Sequence, residues 1–258
     1  MNNATKIQPI ETDFEELEAV EVRPEVVQSK EDLEVIQGML DAGVQFGHKK
    51  SKGHPKMAPY VYATRNELQI IDVTKTLTEL RNALVMLKNI VQSGGSILFV
   101  GTHASARDSV KDTAVSLGMP FVTQRWLGGA LTNYNTIRKR VTYFLDLERK
   151  RATGELEKYT KKERLLFDRE LAKLEANLGG IKHMDKLPQA VFVVDIKQHH
   201  IVVHEANKLR IPVVALCDTD VNPAPINHII PANDNSQQAI ASIMGIIKKE
   251  LLAVRKSA

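Results

Sequence analysis

Three short runs, Ile97 to Val100, Ala190 to Val194 and Val213 to Cys217, are apolar at every position instead of alternating. A strand with apolar side chains on both sides lies in a sheet covered on both faces, the situation of parallel strands between two helical layers. The segments between them read as helices: Ala104 to Leu117, His199 to Leu209, and a last one from Ser236 to about Val254. Phe121 to Thr123 and Ile229-Ile230 supply two further short strands. The expectation is an α/β fold with a doubly wound, mainly parallel sheet of Rossmann or flavodoxin type.

Between Thr132 and Asn177 the pattern changes. Ile137, Val141 and Phe144 follow at spacings of four and three, and Phe167, Leu171, Leu174 and Leu178 at four, three and four. Such narrow stripes pack on one another, so the segment 132–179 is expected to be an antiparallel helical hairpin inserted into the sheet domain, with a break near Ala152-Thr153-Gly154. Upstream, Leu33, Ile36 and Leu40 mark a short helix ended at Ala42-Gly43, and His48 to Lys56 forms a loop broken by Gly53 and Pro55. Val61 to Thr64 and Leu68 to Ile71 flank Arg65-Asn66-Glu67 as a small hairpin, and Asp72 or Thr74 starts a helix that runs to Gln92.

The formal net charge of +4 conceals an asymmetry, since residues 1–35 carry ten acidic and three basic side chains, which leaves +11 on residues 36–258. Residues 1–30 are acidic and interrupted by Pro9 and Pro24, a composition that favours a disordered extension before a single domain 31–258. A basic body suits a polyanionic partner, because Lys and Arg neutralise phosphates and release condensed counterions. No apolar run is long enough to span a bilayer and no secretory leader is evident, so a cytoplasmic protein is expected. Cys217 is the one cysteine and lies within an apolar run, which excludes an internal disulfide and points to a buried, inert thiol.

Doubly wound sheets bind ligands beyond the carboxyl ends of their strands, so the turns after Val100 and Val194 are where a phosphate loop would stand. Gly101-Thr102-His103-Ala104-Ser105-Ala106 lacks the further glycines of a dinucleotide fingerprint, and Asp195-Ile196-Lys197-Gln198 places a carboxylate where phosphate would sit. Asp72, Asp195, Asp218 and Asp220 stand at strand ends, where capping and turn roles are commoner than paired-carboxylate catalysis. His200 and His204, with Asp195 and Asp218, form the best metal candidate, outweighed by the ordinary role of partly buried polar histidines; no resident metal or cofactor is expected. An alternative from another class is a nucleotide- or sugar-phosphate-handling α/β enzyme, and its weakness is the missing phosphate loop.

Basic residues form a better constellation. Lys49, Lys50, Lys52 and Lys56 share one loop with His48 and His54 and no acidic residue; Arg125 precedes Trp126; Arg138, Lys139 and Arg140 open the hairpin, and Arg149, Lys150 and Arg151 approach its tip. Across residues 138–182 thirteen Lys or Arg face eight Asp or Glu, so the hairpin reads equally well as a solvated helix pair and as an RNA contact. No aromatic RNA-reading strand or GXXG clamp is present, which leaves backbone and shape as the features of RNA to be recognised. Arg125-Trp126-Leu127-Gly128-Gly129-Ala130-Leu131-Thr132-Asn133 reads as a binding corner: its glycines permit unusual backbone, Thr132, Asn133 or Asn135 can cap the helix that follows, and Trp126 can bury its ring while offering an N–H.

That corner, together with Met39-Leu40-Asp41-Ala42-Gly43-Val44-Gln45-Phe46-Gly47-His48 and Pro188-Gln189-Ala190-Val191-Phe192-Val193-Val194-Asp195, resembles the bacterial-type family of ribosomal protein two of the small subunit. Phe99-Val100-Gly101-Thr102, Glu205-Ala206-Asn207-Lys208-Leu209 and Ile211-Pro212-Val213 extend the likeness, which runs from about Val35 to about Leu252. The resemblance implies a structural, non-enzymatic component of the small ribosomal subunit that supports translation. It also implies contacts with ribosomal RNA and neighbouring ribosomal proteins, among them the large mRNA-binding protein one of the small subunit, and a hairpin of coiled-coil type. His48, Lys49, Arg125 and Trp126 carry over as motif residues for RNA binding, and Gly43, Gly47, Gly128, Gly129, Thr132, Asn133, Asp195 and Glu205 as motif or structural ones. The acidic extension departs from the family pattern, so the resemblance implies nothing about it.

Overall fold

A computed structural model describes residues 30–257, so the acidic extension lies outside the described residues apart from Lys30. Five strands form one parallel sheet: β4 (Ile97–Val100), β5 (Phe121–Val122), β6 (Ala190–Val194), β7 (Val213–Cys217) and β8 (His228–Pro231), in the order β5-β4-β6-β7-β8. The first two strands are reversed relative to the chain and the rest run on in sequence, so the switch point lies between β4 and β6.

The uninterrupted apolar strands serve two cores. Ile97, Phe99, Phe192, Val194, Val214 and Leu216 point into one layer with α1 (Lys30–Asp41), α2 (Val73–Gln92), α3 (Ala104–Ser116) and α7 (Gln237–Ser257). Their neighbours Leu98, Val100, Val191, Val193, Val213, Ala215 and Cys217 point into the other, with α6 (His200–Lys208) and the inner ends of α4 (Tyr134–Ala152) and α5 (Lys161–Leu178). Successive side chains of a strand face opposite ways, so a strand between two cores has no position left for a polar residue. Cys217 is wholly buried, and burial raises its thiol pKa well above the ordinary value.

α4 and α5 fold back on each other over a third, smaller cluster of Phe144, Leu147, Leu156 and Leu171, with Phe167 and Leu174 packed against it. Thr160 and Glu163 form a reciprocal capping box that starts α5. The base of this two-helix arm is tied to the body by Arg138, which donates to the Met184 carbonyl at 3.2 Å and pairs with Asp185, and by the Tyr134 hydroxyl, which also donates to Met184.

Two local expectations differ from the structure. The start of the basic loop is a strand: β1 (Phe46–Lys49) joins β2 (Val61–Arg65) and β3 (Leu68–Ile71) in an antiparallel sheet of order β1-β3-β2. With Phe46 as its only large apolar residue, β1 has no strand signature, and its order comes from pairing with β3 and from long-range anchoring described below. Neither Thr132 nor Asn133 caps α4 by its side chain, and Asn135 lies inside the helix; Asn133 stands at the N-cap position, and its carboxamide oxygen accepts from the Thr136 hydroxyl at 2.8 Å instead.

Candidate nucleic-acid interface

The crevice at the switch point, where a doubly wound fold would take a nucleotide, is filled by His199. Only 2% exposed, this side chain bridges the loops that follow β4 and β6. Its Nδ1 lies 2.7 Å from the Asp195 carbonyl, so it must donate there, and Nε2 then accepts from the Thr102 N–H at 3.3 Å and hydroxyl at 3.1 Å. Burial lowers the His199 pKa, and the hydrogen bond to the Asp195 carbonyl only partly opposes that, so the ring is held neutral. Asp195 adopts a left-handed φ of 64° and its carboxylate accepts from the Gln198 N–H, a turn role. The enzyme alternative finds no support in a crevice occupied by the protein's own imidazole.

The metal candidate does not assemble. His200 and His204 are exposed on α6, Asp195 is engaged with Gln198, and among the described residues no group of three or more His, Cys, Asp or Glu is placed to hold a metal ion. Asp218 faces His48 instead, with His48 Nδ1 2.9 Å from its Oδ2 without hydrogen-bond alignment, and Asp220 pairs with Lys197 at 2.7 Å. Burial raises the Asp218 pKa against the Thr219 N–H and His48, which lower it. Asp234, buried close to this group, is pushed up to about 8 by burial first and then by the charges of Asp218, Asp195 and Asp220.

This carboxyl rim of the sheet carries the lysine loop. Thr219, wholly buried just after β7, accepts the His48 N–H on its hydroxyl at 2.9 Å and the His54 N–H on its carbonyl at 2.8 Å. Gly47 is required where the two segments meet, because a Cβ there would stand 2.7 Å from Thr219 Cγ2 and 3.0 Å from the Gln69 carbonyl. Short 3-10 turns at Lys50–Lys52 and Pro55–Tyr60 then hold Lys49, Lys50, Lys52 and Lys56 exposed, and His54 Nδ1 caps the second by accepting from the Lys56 N–H. Among the described residues none of these four ammonium groups has an ion-pair partner within 4 Å.

The basic residues of the arm are differently placed. Arg138 pairs with Asp185, Arg149 with Asp146 and Glu155 at 3.0 and 2.8 Å, Lys150 with Asp146 at 2.6 Å, and Arg151 with Asp168 at 3.4 Å. Lys139 and Arg140 are exposed, and among the described residues neither forms an ion pair.

The 126–132 corner is organised by Glu205 of α6. One carboxylate oxygen accepts from Trp126 Nε1 at 3.1 Å and the Gly129 N–H at 2.8 Å; the other accepts from the N–H groups of Leu131 and Thr132 and the Thr132 hydroxyl, each at 3.1 Å. Gly129 has φ +84°, which lets the turn fold its donors inward, while a Cβ at Gly128 would meet nothing. Burial alone would raise the Glu205 pKa, but the donors from Thr132, Trp126, Gly129 and Leu131 outweigh it, and the net shift is downward. Sequence reasoning singled out this corner and Glu205 separately but not their union, for which no local signal exists at separations of 73 to 79 residues.

Residues 39–253 match the family model described as Ribosomal protein S2. The chain is also 50% identical over 211 residues to the Small ribosomal subunit protein uS2 of Spiroplasma citri, a match that covers 81% of this chain. The chain spans 59% of the length of that relative. The family match takes in the α/β body, the lysine loop, the Glu205 corner and the arm, and with that identity it establishes that the chain belongs to the ribosomal protein S2 family.

Proposed function

We propose that the chain is a structural, non-enzymatic constituent of the small ribosomal subunit, working in the cytoplasm and binding ribosomal RNA through phosphate contacts. The observation that carries this reading is the set of four exposed lysines at 49, 50, 52 and 56, held on ordered turns with no acidic partner among the described residues. Unpaired cations on a fixed backbone meet phosphates without first breaking an internal pair, and the counterions they release from RNA supply affinity. The name of the Spiroplasma citri relative supports the same assignment. The arm, read as an inserted coiled coil, serves as a second contact through Lys139, Arg140 and its tip. Neighbouring small-subunit proteins, including the large mRNA-binding protein one, are the protein partners.

Sedimentation of a native lysate on density gradients at low and high salt tests the reading. Comigration with the small subunit that weakens as salt rises is the expected outcome, and a slow free species under both conditions would overturn it. Loss of protein one from small subunits depleted of this chain is the corresponding expectation for that partner.

A further inference from the structure

Glu205 is 5% exposed, and all five donors on its carboxylate come from the 126–132 corner. Among the described residues no Lys or Arg pairs with it, so its charge is balanced by oriented N–H dipoles. A buried carboxylate used in this way fixes a turn far more tightly than neutral bonds would, since charge-assisted hydrogen bonds are roughly twice as strong as neutral ones. At the outer end of that turn stands Arg125, exposed and without an ion pair among the described residues.

Arg125 follows β5 at its carboxyl end, three residues beyond Val122, and the lysine loop rests on Thr219 at the carboxyl end of β7. The two places therefore share one rim. In the order β5-β4-β6-β7 they are three strand spacings apart, or about 14 Å at roughly 4.8 Å per spacing. At that separation one RNA can meet both, since two backbone segments border the wide, shallow minor groove of an A-form helix.

We propose that Glu205 is the positioning residue of a further phosphate contact, separate from the loop and the arm: by gripping the 126–132 turn from α6 it fixes Arg125 on the rim that carries the lysine loop. The proposal rests on the RNA-binding reading above. A guanidinium on a fixed turn loses little freedom when it meets phosphate, whereas the same group on a released turn must be ordered at the moment of binding.

The test is binding of the full chain to small subunits stripped of it, followed across a salt titration, with Trp126 fluorescence as an independent report on the turn. Trp126 is the only tryptophan, so its emission reads this corner alone. Arg125→Ala should lower the slope of log affinity against log salt by about 1, the value for one lost phosphate contact. Glu205→Gln, with an unchanged far-UV spectrum, should alter Trp126 emission and lower the slope by the same amount, and the double variant should fall no further. A Glu205→Gln protein with altered emission and the full slope overturns the proposal, as does a double variant that loses about 2. Should Glu205→Gln fail to fold, Thr132→Val removes only one donor and must give a partial fall; a full slope there overturns the proposal. If replacing the four lysines lowers the slope and Arg125→Ala does not, the proposal falls while the RNA-binding reading stands. If neither lowers it, both fall.

Discussion

The lysine loop and the two-helix arm both present clusters of basic residues, yet they differ in what those residues are free to do. On the loop, Lys49, Lys50, Lys52 and Lys56 have no acid within ion-pair distance among the described residues, whereas on the arm Arg149 holds two and Lys150 and Arg151 one each. An internal pair at an exposed site is worth little to stability, but it lowers the local positive potential and must be given up or shared when phosphate arrives. A count of basic residues therefore overstates the arm and understates the loop.

The largest effect expected from this contrast is on the loop. Replacing Lys49, Lys50, Lys52 and Lys56 together by Gln should lower the salt slope of binding to stripped subunits by about 3 to 4. An unchanged slope would place the loop away from RNA and break the comparison outright. Next comes the independence of the arm's own core. Phe144→Ala, which empties the centre of the small cluster, should cost the arm about 3 kcal/mol or more. Hydrogen exchange should show α4 and α5 opening beyond their base while β4, β6 and β7 keep their protection; a loss spread over the parallel sheet would join the two regions into one cooperative unit.

A third effect separates the two regions by pH. Asp234 stands at the rim with a folded pKa of about 8 against an ordinary carboxylate value of 3.8, so between these pH values the folded state keeps a proton that the unfolded state releases. The contribution of Asp234 to stability therefore falls as pH rises from about 4 to about 8, by at most about 1.4 kcal/mol per pH unit. Asp234→Asn should remove that fall and raise the melting temperature above neutrality; an unaltered pH profile would show that Asp234 does not titrate as its surroundings require. The smallest effect belongs to the arm tip, where Arg149, Lys150 and Arg151 changed together to Gln should lower the salt slope by less than about 1 per residue, because each already has an acidic neighbour. A drop of about 3 would show that those pairs dissolve on binding and would remove the distinction between loop and arm.

The parallel sheet was legible because Ala190 to Val194 and Val213 to Cys217 are apolar without alternation, and only a doubly covered strand tolerates that. The two helices α4 and α5 and their facing sides were legible from the spacing of Ile137, Val141, Phe144, Leu171 and Leu178, all of which are buried. Glu205 stood in a recognised motif, but its grip on residues 126–132 depends on α6 and the turn meeting across one core, a contact of high sequence separation. For the same reason His199 was not legible as the group that fills the switch-point crevice, since its partner Thr102 is 97 residues away. β1 was missed because pairing and the Thr219 anchor override its weak strand propensity. The ion pairs of the arm lay partly within reach, as the i,i+4 spacing of Asp146 and Lys150 marks one of them.

The tie between the start of α4 and the segment after α5, through Tyr134, Arg138, Met184 and Asp185, has a consequence for how the chain tolerates change. It closes the excursion at its base, so the ends of the arm are held together by the body whatever lies between them. The entropy of loop closure grows only slowly with length, and here the anchored base already meets most of it. Val141, Leu174 and Leu178 beyond that tie still pack in the second core of the body, so only past them are whole helical turns expected to be added or deleted, in register on both helices, without disturbing the order of the strands beneath.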